Sequence, residues 1–114
     1  MPTEVIATDE FVTWYHSLTE PAFEAVFRVV SLLEEQGIRL AYPYCSAING
    51  SSYALRELRI QAQGHPLRVF YIFDEERQAV VLLGGDKTGD DRFYEREVPR
   101  AERLWEQYKK ENGS

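Results

Sequence analysis

The sequence predicts an α+β domain with a small antiparallel sheet, an N-terminal helical hairpin and a C-terminal helix, with the helices on one face of the sheet. Apolar residues at helical spacing predict the hairpin, and three apolar segments separated by short turns predict the sheet. The predicted order of elements is β-α-α-β-β-β-α. All 114 residues fit a single domain, whose last residues, 111–114, are expected to be disordered.

The N-terminal third predicts a short edge strand and two helices. Residues 4–7 fit the strand, and Thr8 or Asp9 can cap the first helix. The apolar stripe of that helix consists of Phe11, Trp14, Tyr15 and Leu18. A second helix begins near Pro21 and ends at Gly37. Its stripe consists of Phe23, Val26, Phe27, Val30 and Leu33.

The middle of the chain predicts an irregular stretch, residues 38–53, and then three strands. The strand candidates are residues 54–62, 67–73 and 78–83. The gaps between them are short enough for hairpins, which predicts an antiparallel meander. The third strand is apolar on both faces, so we expect a central or helix-covered position for it.

A last amphipathic helix is predicted to end near Asn112, and Pro99 either opens it or kinks it. The apolar stripe of this helix consists of Tyr94, Val98, Ala101, Trp105 and Tyr108.

Charge and cysteine content restrict the class of protein. Thirteen basic and nineteen acidic residues leave a net charge of −6, which argues against a high-affinity, nonspecific nucleic-acid surface. A local basic patch remains open, because residues 56–68 contain three arginines and one acid. The single cysteine, the lack of a signal peptide and the lack of an apolar run near ~20 residues predict a cytoplasmic protein without membrane association.

The sequence lacks the motifs of three kinds of site: a metal site, a nucleophile elbow and a phosphate-binding P-loop. The two histidines and Cys45 have no metal-ligand spacing, so we expect no metal and no other cofactor. A Gly-X-Ser-X-Gly nucleophile elbow is absent from the sequence. The stretch Gly-Gly-Asp-Lys-Thr-Gly after the third strand fails the order of a phosphate-binding P-loop.

Cationic side chains offer a better candidate site. Arg59 lies on the polar face of its strand, and Arg68 begins the next strand. In an antiparallel meander the start of that strand adjoins the end of the third, which brings Lys87 towards Arg68. Arg92 and Tyr94 follow shortly afterwards. Such a cluster could bind a phosphate and stabilise a pentacoordinate phosphorane without a metal.

A plainer interpretation stays open. Arginines on a sheet face are usually solvated or paired with acids such as Glu57, Glu95 or Glu97, and such surface pairs contribute little. Tyr94 would then be only the first core residue of the last helix.

Three segments together resemble a known family. They are TDEFVTWYHSL (residues 8–18), LRELRIQ with PLRVFYIFD (residues 55–61 and 66–74), and VVLLGGDKTGDDRFYEREVPRAERL (residues 80–104). In this order the chain resembles the phage-derived, HigB-like branch of the RelE/ParE toxin superfamily over about residues 4–110. The GGDKTGDDRFY stretch is the most specific part.

The resemblance implies a RelE-like fold and the toxin of a type II toxin–antitoxin pair. Such toxins are metal-independent endoribonucleases that cut mRNA, typically on translating ribosomes, and a helix-turn-helix antitoxin is the expected partner. The site residues that the resemblance implies are Arg59, Arg68, Lys87, Arg92 and Tyr94. Arg56 is a second option for the position of Arg59, and Phe93 is an option for base stacking.

The resemblance also implies roles and alternatives. Arg59 and Arg68 would neutralise the phosphate, Tyr94 or Lys87 would help to remove the ribose 2′-proton, and Lys87 or Arg92 would assist the leaving 5′-oxygen. ParE relatives share the fold but inhibit DNA gyrase, so a toxin that binds a protein target through the helical hairpin stays open. An inactive relative is a third hypothesis.

Overall fold

The computed structural model describes residues 2–112, which form a five-stranded sheet and three α-helices. The strands are β1 (Val5–Ala7), β2 (Cys45–Ala47), β3 (Arg56–Ala62), β4 (His65–Phe73) and β5 (Ala79–Asp86). The helices are α1 (Asp9–His16), α2 (Glu20–Gln36) and α3 (Phe93–Glu111). The strand order is β1-β5-β4-β3-β2, antiparallel throughout except that β1 pairs in parallel with β5. The predicted α+β class and the meander of β3, β4 and β5 are confirmed.

The helices cover both faces of the sheet, so the expectation that they pack on one face is wrong. Along β4, Val69 and Tyr71 point into one core, and Phe70 and Ile72 point into the other. The core under α1 and α2 includes Phe11, Val26, Leu33, Leu58, Val69 and Val81. The core under α3 includes Phe70, Val80, Leu82, Phe93, Ala101 and Trp105. A central strand that is apolar on both faces needs cover on both, and β5 receives it.

Strand β2 was missed by the sequence analysis. Its three residues lie in the stretch predicted to be irregular, and a strand this short has no readable alternation. It forms because Cys45 pairs opposite Leu58 and is buried in the core under α1 and α2.

Strand β5 continues to Asp86, beyond the predicted end at residue 83, and includes both glycines. The glycines permit close packing within the sheet. A Cβ atom at Gly84 would collide with the Trp14 ring, and one at Gly85 would lie 2.8 Å from Cε1 of Phe93. Gly84-Gly85 is therefore not a flexible loop but the place where α1 and α3 approach the two faces of the strand.

The helix boundaries agree closely with the sequence analysis. Thr8 caps α1, and its Oγ1 accepts a hydrogen bond from the Phe11 N–H at 3.1 Å. Gly37 ends α2 with a φ of 56°. Pro99 lies inside α3, so it does not open that helix. The tail predicted to be disordered comprises residues 111–114. Glu111 is instead the last residue of α3, Asn112 is its C-cap, and residues 113–114 lie outside the described residues.

The apolar stripe of α2 differs from the prediction. Val29 is buried with Val26 and Leu33, whereas Phe27 is 59% exposed. The Phe23 ring instead stacks on Tyr15 of α1, with centroids 4.1 Å apart, and joins the two helices. Within residues 2–112, no helix has the length and apolar character needed to cross a membrane.

Candidate active site

Strand pairing brings the predicted cations onto the sheet face that α3 covers. Arg59 of β3 lies directly opposite Arg68 of β4, and Arg68 lies opposite Gly85 of β5. Because Leu58 and Ile60 point into the core under α1 and α2, Arg59 points to the other side. Arg56 lies on the opposite face from Arg59 and donates a hydrogen bond to the Tyr71 hydroxyl, so it does not belong to the cluster.

A buried carboxylate, Glu57, lies at the centre of the cluster. Its residue is only 5% exposed. The Tyr94 hydroxyl donates to Oε1 at 2.6 Å, and the Ser46 hydroxyl donates to Oε2 at 3.0 Å. Arg59 Nη1 lies 3.5 Å from Oε2, and Arg68 Nε lies 3.7 Å from Oε1. The carboxylate thus connects β2, β3, β4 and α3.

Glu57 explains why two arginines can face each other across the sheet. Like charges at directly opposite positions destabilise a strand pair. Here the guanidinium groups of Arg59 and Arg68 share one anion, which offsets their repulsion. Without the carboxylate, Arg68 would be a buried charge with no counterion.

Arg68 retains hydrogen-bonding capacity. The residue is 5% exposed, and its Nη1 donates to the Leu67 carbonyl at 2.9 Å. Its buried Nε has no hydrogen-bond acceptor, because 3.7 Å to Glu57 exceeds a hydrogen-bond distance. A buried donor without an acceptor is costly and unusual, which marks this guanidinium as a group able to receive an anion.

Tyr94, the second residue of α3, is held by aromatic packing. Its ring stacks with Phe70 at a centroid distance of 5.9 Å and meets Phe93 edge-on at 5.3 Å. Phe93 in turn occupies the space that glycine leaves at position 85. Burial and the hydrogen bond to the Glu57 carboxylate raise the pKa of the Tyr94 phenol, while the charge of Arg68 opposes the shift. The phenol is therefore a proton donor to Glu57 in the resting protein.

Lys87 follows β5 immediately and lies over Tyr94. Its Nζ is 5.3 Å from the centroid of the Tyr94 ring, and its backbone N–H donates to the Pro66 carbonyl at 3.1 Å. Desolvation, followed by the positive charges of Arg68 and Arg59, lowers the pKa of the Lys87 ammonium, and Glu57 opposes the shift. A lysine of this kind gives up its proton more readily than an ordinary surface lysine.

Arg92 lies apart from the other predicted residues. It occupies the N-cap of α3, is exposed, and its backbone N–H donates to Asp90 Oδ1 at 3.2 Å. Among the described residues, its side chain makes no hydrogen bond or ion pair with the Glu57 cluster. Within residues 2–112, the structure thus brings together four of the five predicted side chains, whereas Arg92 is exposed and makes no such contact with them.

Comparison with known proteins identifies the family. The family described as phage-derived protein Gp49-like matches residues 13–106, most of the chain. This protein belongs to the Gp49-like family. HigB3 of Mycobacterium tuberculosis, which is named as a toxin, is 34% identical over 106 residues, covering 91% of each chain. HigB2 of the same organism, also named as a toxin, is 31% identical over 98 residues, 83% of this chain and 49% of HigB2. The predicted resemblance to HigB-like toxins is confirmed.

Solved structures of RelE proteins share the fold of this Gp49-like protein. Escherichia coli toxin RelE, in the free state with two arginines replaced by alanine, has a TM-score of 0.63 at 13% identity, covering 88% of this chain and 98% of RelE. A chain of the toxin–antitoxin complex RelBE2 from Mycobacterium tuberculosis has a TM-score of 0.59 at 19% identity, covering 75% and 99%. A chain of the archaeal RelE–RelB complex from Pyrococcus horikoshii has 0.56 at 16%, covering 76% and 97%. These likenesses establish a RelE-like fold.

Sequence reasoning did not include Glu57 in the site of this HigB-like toxin. In the plainer interpretation of the sequence, Glu57 pairs with an arginine on a solvated sheet face. The available signal was that Glu57 is the single acid among three arginines in residues 56–68 and shares a strand face with Arg59. Glu57 is buried because α3 covers that face of the sheet, and this tertiary contact cannot be predicted from residues close to Glu57 in the sequence.

Proposed function

We propose that this HigB-like toxin is a metal-independent endoribonuclease that cuts mRNA on translating ribosomes. The observation that carries the proposal is the buried Glu57 carboxylate, bonded to Tyr94 and flanked by Arg59, Arg68 and Lys87. Three cations around one anion create a local positive charge in a chain whose net charge is −6. A phosphodiester is the polymer group best matched to such a site.

Arg59 and Arg68 bind the non-bridging oxygens of the scissile phosphate. Arg68 Nε is buried and lacks an acceptor in this structure, so the guanidinium must turn for this atom to donate to the phosphate. The phosphorane carries more negative charge than the ground state, so these contacts strengthen in the transition state. As the arginines turn towards the phosphate, Glu57 shares less of their charge, and a carboxylate with fewer cationic partners accepts a proton more readily.

Tyr94 and Glu57 together remove the proton of the ribose 2′-hydroxyl. The 2′-proton passes to the Tyr94 oxygen while the phenolic proton passes to Glu57 along their 2.6 Å hydrogen bond. A free tyrosinate never forms, which agrees with the raised pKa of the Tyr94 phenol. The resemblance to HigB-like toxins offers Tyr94 or Lys87 as the group that removes the 2′-proton. The raised pKa of the Tyr94 phenol disfavours Tyr94 as a base without Glu57, and Lys87 is assigned to the leaving 5′-oxygen instead.

Lys87 completes the reaction. The 2′-oxygen forms a bond to phosphorus, the bond from phosphorus to the 5′-oxygen breaks, and the leaving 5′-oxygen takes a proton from Lys87 Nζ. The products are a 2′,3′-cyclic phosphate and a free 5′-hydroxyl. The lowered pKa of Lys87 makes its ammonium a stronger general acid. Arg92 is the sequence-based alternative to Lys87 for this step, but it is exposed and makes no hydrogen bond or ion pair with the Glu57 cluster among the described residues, which favours Lys87.

The proposed partners are a helix-turn-helix antitoxin and the ribosome, in the cytoplasm. Two of the RelE structures are toxin–antitoxin complexes, which supports an antitoxin partner for this chain. The ribosome would position the message, which a small acidic protein cannot hold by charge alone.

A second candidate function is inhibition of DNA gyrase or another protein by binding. The observation in its favour is the exposed apolar surface of the helical hairpin, where Val12 is 38% and Phe27 is 59% exposed.

Induced expression followed by mapping of RNA 5′-ends distinguishes the two functions. The ribonuclease should produce new 5′-hydroxyl ends within translated messages, and these ends should vanish in the Lys87→Ala variant but persist in Lys110→Ala, an exposed lysine at the far end of α3. Intact messages with DNA breaks, abolished by Phe27→Ala, would instead establish the protein-binding toxin.

A further inference from the structure

Two exposed tyrosines lie beside the Glu57 cluster, in the turn that precedes β2. Tyr42 is 73% exposed and Tyr44 is 46% exposed. The guanidinium carbon of Arg59 lies 5.3 Å from the centroid of the Tyr42 ring. The same guanidinium group lies 3.5 Å from Glu57. Arg59 therefore connects an open aromatic ring to the proposed phosphate site.

Backbone hydrogen bonds hold this turn in place. The Tyr44 N–H donates to the Ala41 carbonyl at 3.0 Å and closes the turn. The Arg59 N–H donates to the Tyr44 carbonyl at 2.8 Å and ties the turn to β3. A ring held beside the site before binding loses little freedom when a ligand covers it.

We propose that Tyr42 stacks against the nucleobase adjacent to the scissile phosphate. The inference rests on the proposed ribonuclease function and adds a base-binding subsite to it. Proteins that bind single-stranded RNA combine cations for the backbone with aromatic rings for the bases. Arg59 and Tyr42, whose side chains are in contact, supply one group of each kind. Every nucleobase has a π-face, so stacking here strengthens binding without selecting a particular base.

An RNA base fits this surface better than a protein partner does. The Tyr42 ring adjoins the cationic site directly, whereas the exposed apolar residues Val12 and Phe27 lie on the helical hairpin and Ile38 lies in the short turn that follows α2. Because Tyr42 contacts Arg59, an RNA strand whose phosphate is bound by Arg59 and Arg68 would pass beside the Tyr42 ring.

Binding of a non-cleavable RNA tests the proposal. The probe is fluorescent 2′-O-methyl heptaadenylate, which lacks the 2′-hydroxyl nucleophile, presented free and as the message of programmed ribosomes. Tyr42→Ala should weaken binding about tenfold or more, and Tyr42→Trp should retain it. Phe27→Ala, which removes a similarly exposed ring from α2, should bind as the wild type does. A heptamer of abasic sugar-phosphates should bind the wild type and Tyr42→Ala equally.

The outcomes separate this inference from the proposed function. If Arg68→Gln weakens binding of the heptaadenylate but Tyr42→Ala does not, the subsite is wrong and the ribonuclease stands. If the wild type binds the heptaadenylate neither free nor on programmed ribosomes, both proposals fail. If Tyr42→Ala leaves RNA affinity unchanged but escapes neutralisation by a co-expressed antitoxin, the turn is a protein-docking surface and the subsite is wrong.

Discussion

Tyr94 and Glu57, 37 positions apart in the chain, are joined by a hydrogen bond of 2.6 Å from the phenol to the carboxylate. This bond ties the N-terminus of α3 to the middle of the sheet. It also places a proton on a short path between a half-buried hydroxyl and a buried anion.

Glu57→Gln should lower kcat for RNA cleavage about 100-fold or more, because an amide accepts the Tyr94 hydrogen bond but cannot take its proton. Single-turnover cleavage, measured below the melting temperature of each variant, is the relevant assay. Glu95→Gln is the matched control, because Glu95 is an exposed glutamate next to Tyr94 on α3. A Glu57→Gln enzyme with wild-type kcat would refute the proton relay.

Loss of the Glu57 charge should also destabilise the fold. Glu57→Leu leaves Arg68 buried without a counterion, which costs about 3–5 kcal/mol. The double variant Glu57→Leu/Arg68→Met removes both charges and should recover most of that loss. Urea unfolding of the three proteins measures the coupling. Additive losses in the double variant would mean that the two side chains do not depend on each other.

Lys87→Ala should abolish toxicity while the melting temperature stays near that of the wild type. The side chain is only partly buried and lies at the end of β5, so it contributes to chemistry rather than to the core. Growth after induction and thermal unfolding are measured together, with Lys110→Ala as control. Retained toxicity in a folded Lys87→Ala protein would remove the general acid from the mechanism.

The activity of the wild type should fall on the alkaline side as Lys87 loses its proton. Because desolvation, Arg68 and Arg59 lower the pKa of Lys87, this limb should lie below the ordinary lysine value of 10.5. Arg59→Gln removes one of the positive charges that lower this pKa, so it should move the alkaline limb to higher pH while reducing kcat/KM. A pH–rate profile of both proteins on the same RNA reports the shift. If the alkaline limb of Arg59→Gln stays at the same pH or moves to lower pH, the assignment of this limb to Lys87 is wrong.

Gly85→Ala should weaken both the fold and the site. The added Cβ would lie 2.8 Å from the Phe93 ring and push α3 from β5, at a cost of about 1–3 kcal/mol. Tyr94, next to Phe93, would then lose its position over Glu57. Phe93→Leu in the same chain makes room for the methyl group and should restore part of the stability. Circular dichroism melts of the single and double variants give the comparison. Equal melting temperatures for Gly85→Ala and the wild type would show that the Phe93 ring can move away from position 85 at little cost in stability.

Local sequence predicted the three helices, four of the five strands described in residues 2–112, and five candidate site residues. Capping at Thr8, helical spacing in α1 and α3 and short gaps between strands act over a few residues, so they can be read directly. The predicted meander also places Arg68 next to the end of the third strand, and the register of β4 and β5 confirms this, with Arg68 opposite Gly85. Resemblance to HigB-like toxins then added roles for these residues and two further options, Arg56 and Phe93.

Tertiary structure alone decided which of those side chains meet and in what electrostatic setting. Whether Glu57 is a solvated partner or a buried carboxylate depends on the start of α3, where Tyr94 reaches it, and the packing of Phe93 against Gly85 permits that approach. The direction of the Lys87 and Tyr94 pKa shifts follows from the same burial and the same neighbours. Burial and charge neighbours arise from residues distant in the chain, so no local pattern can report them.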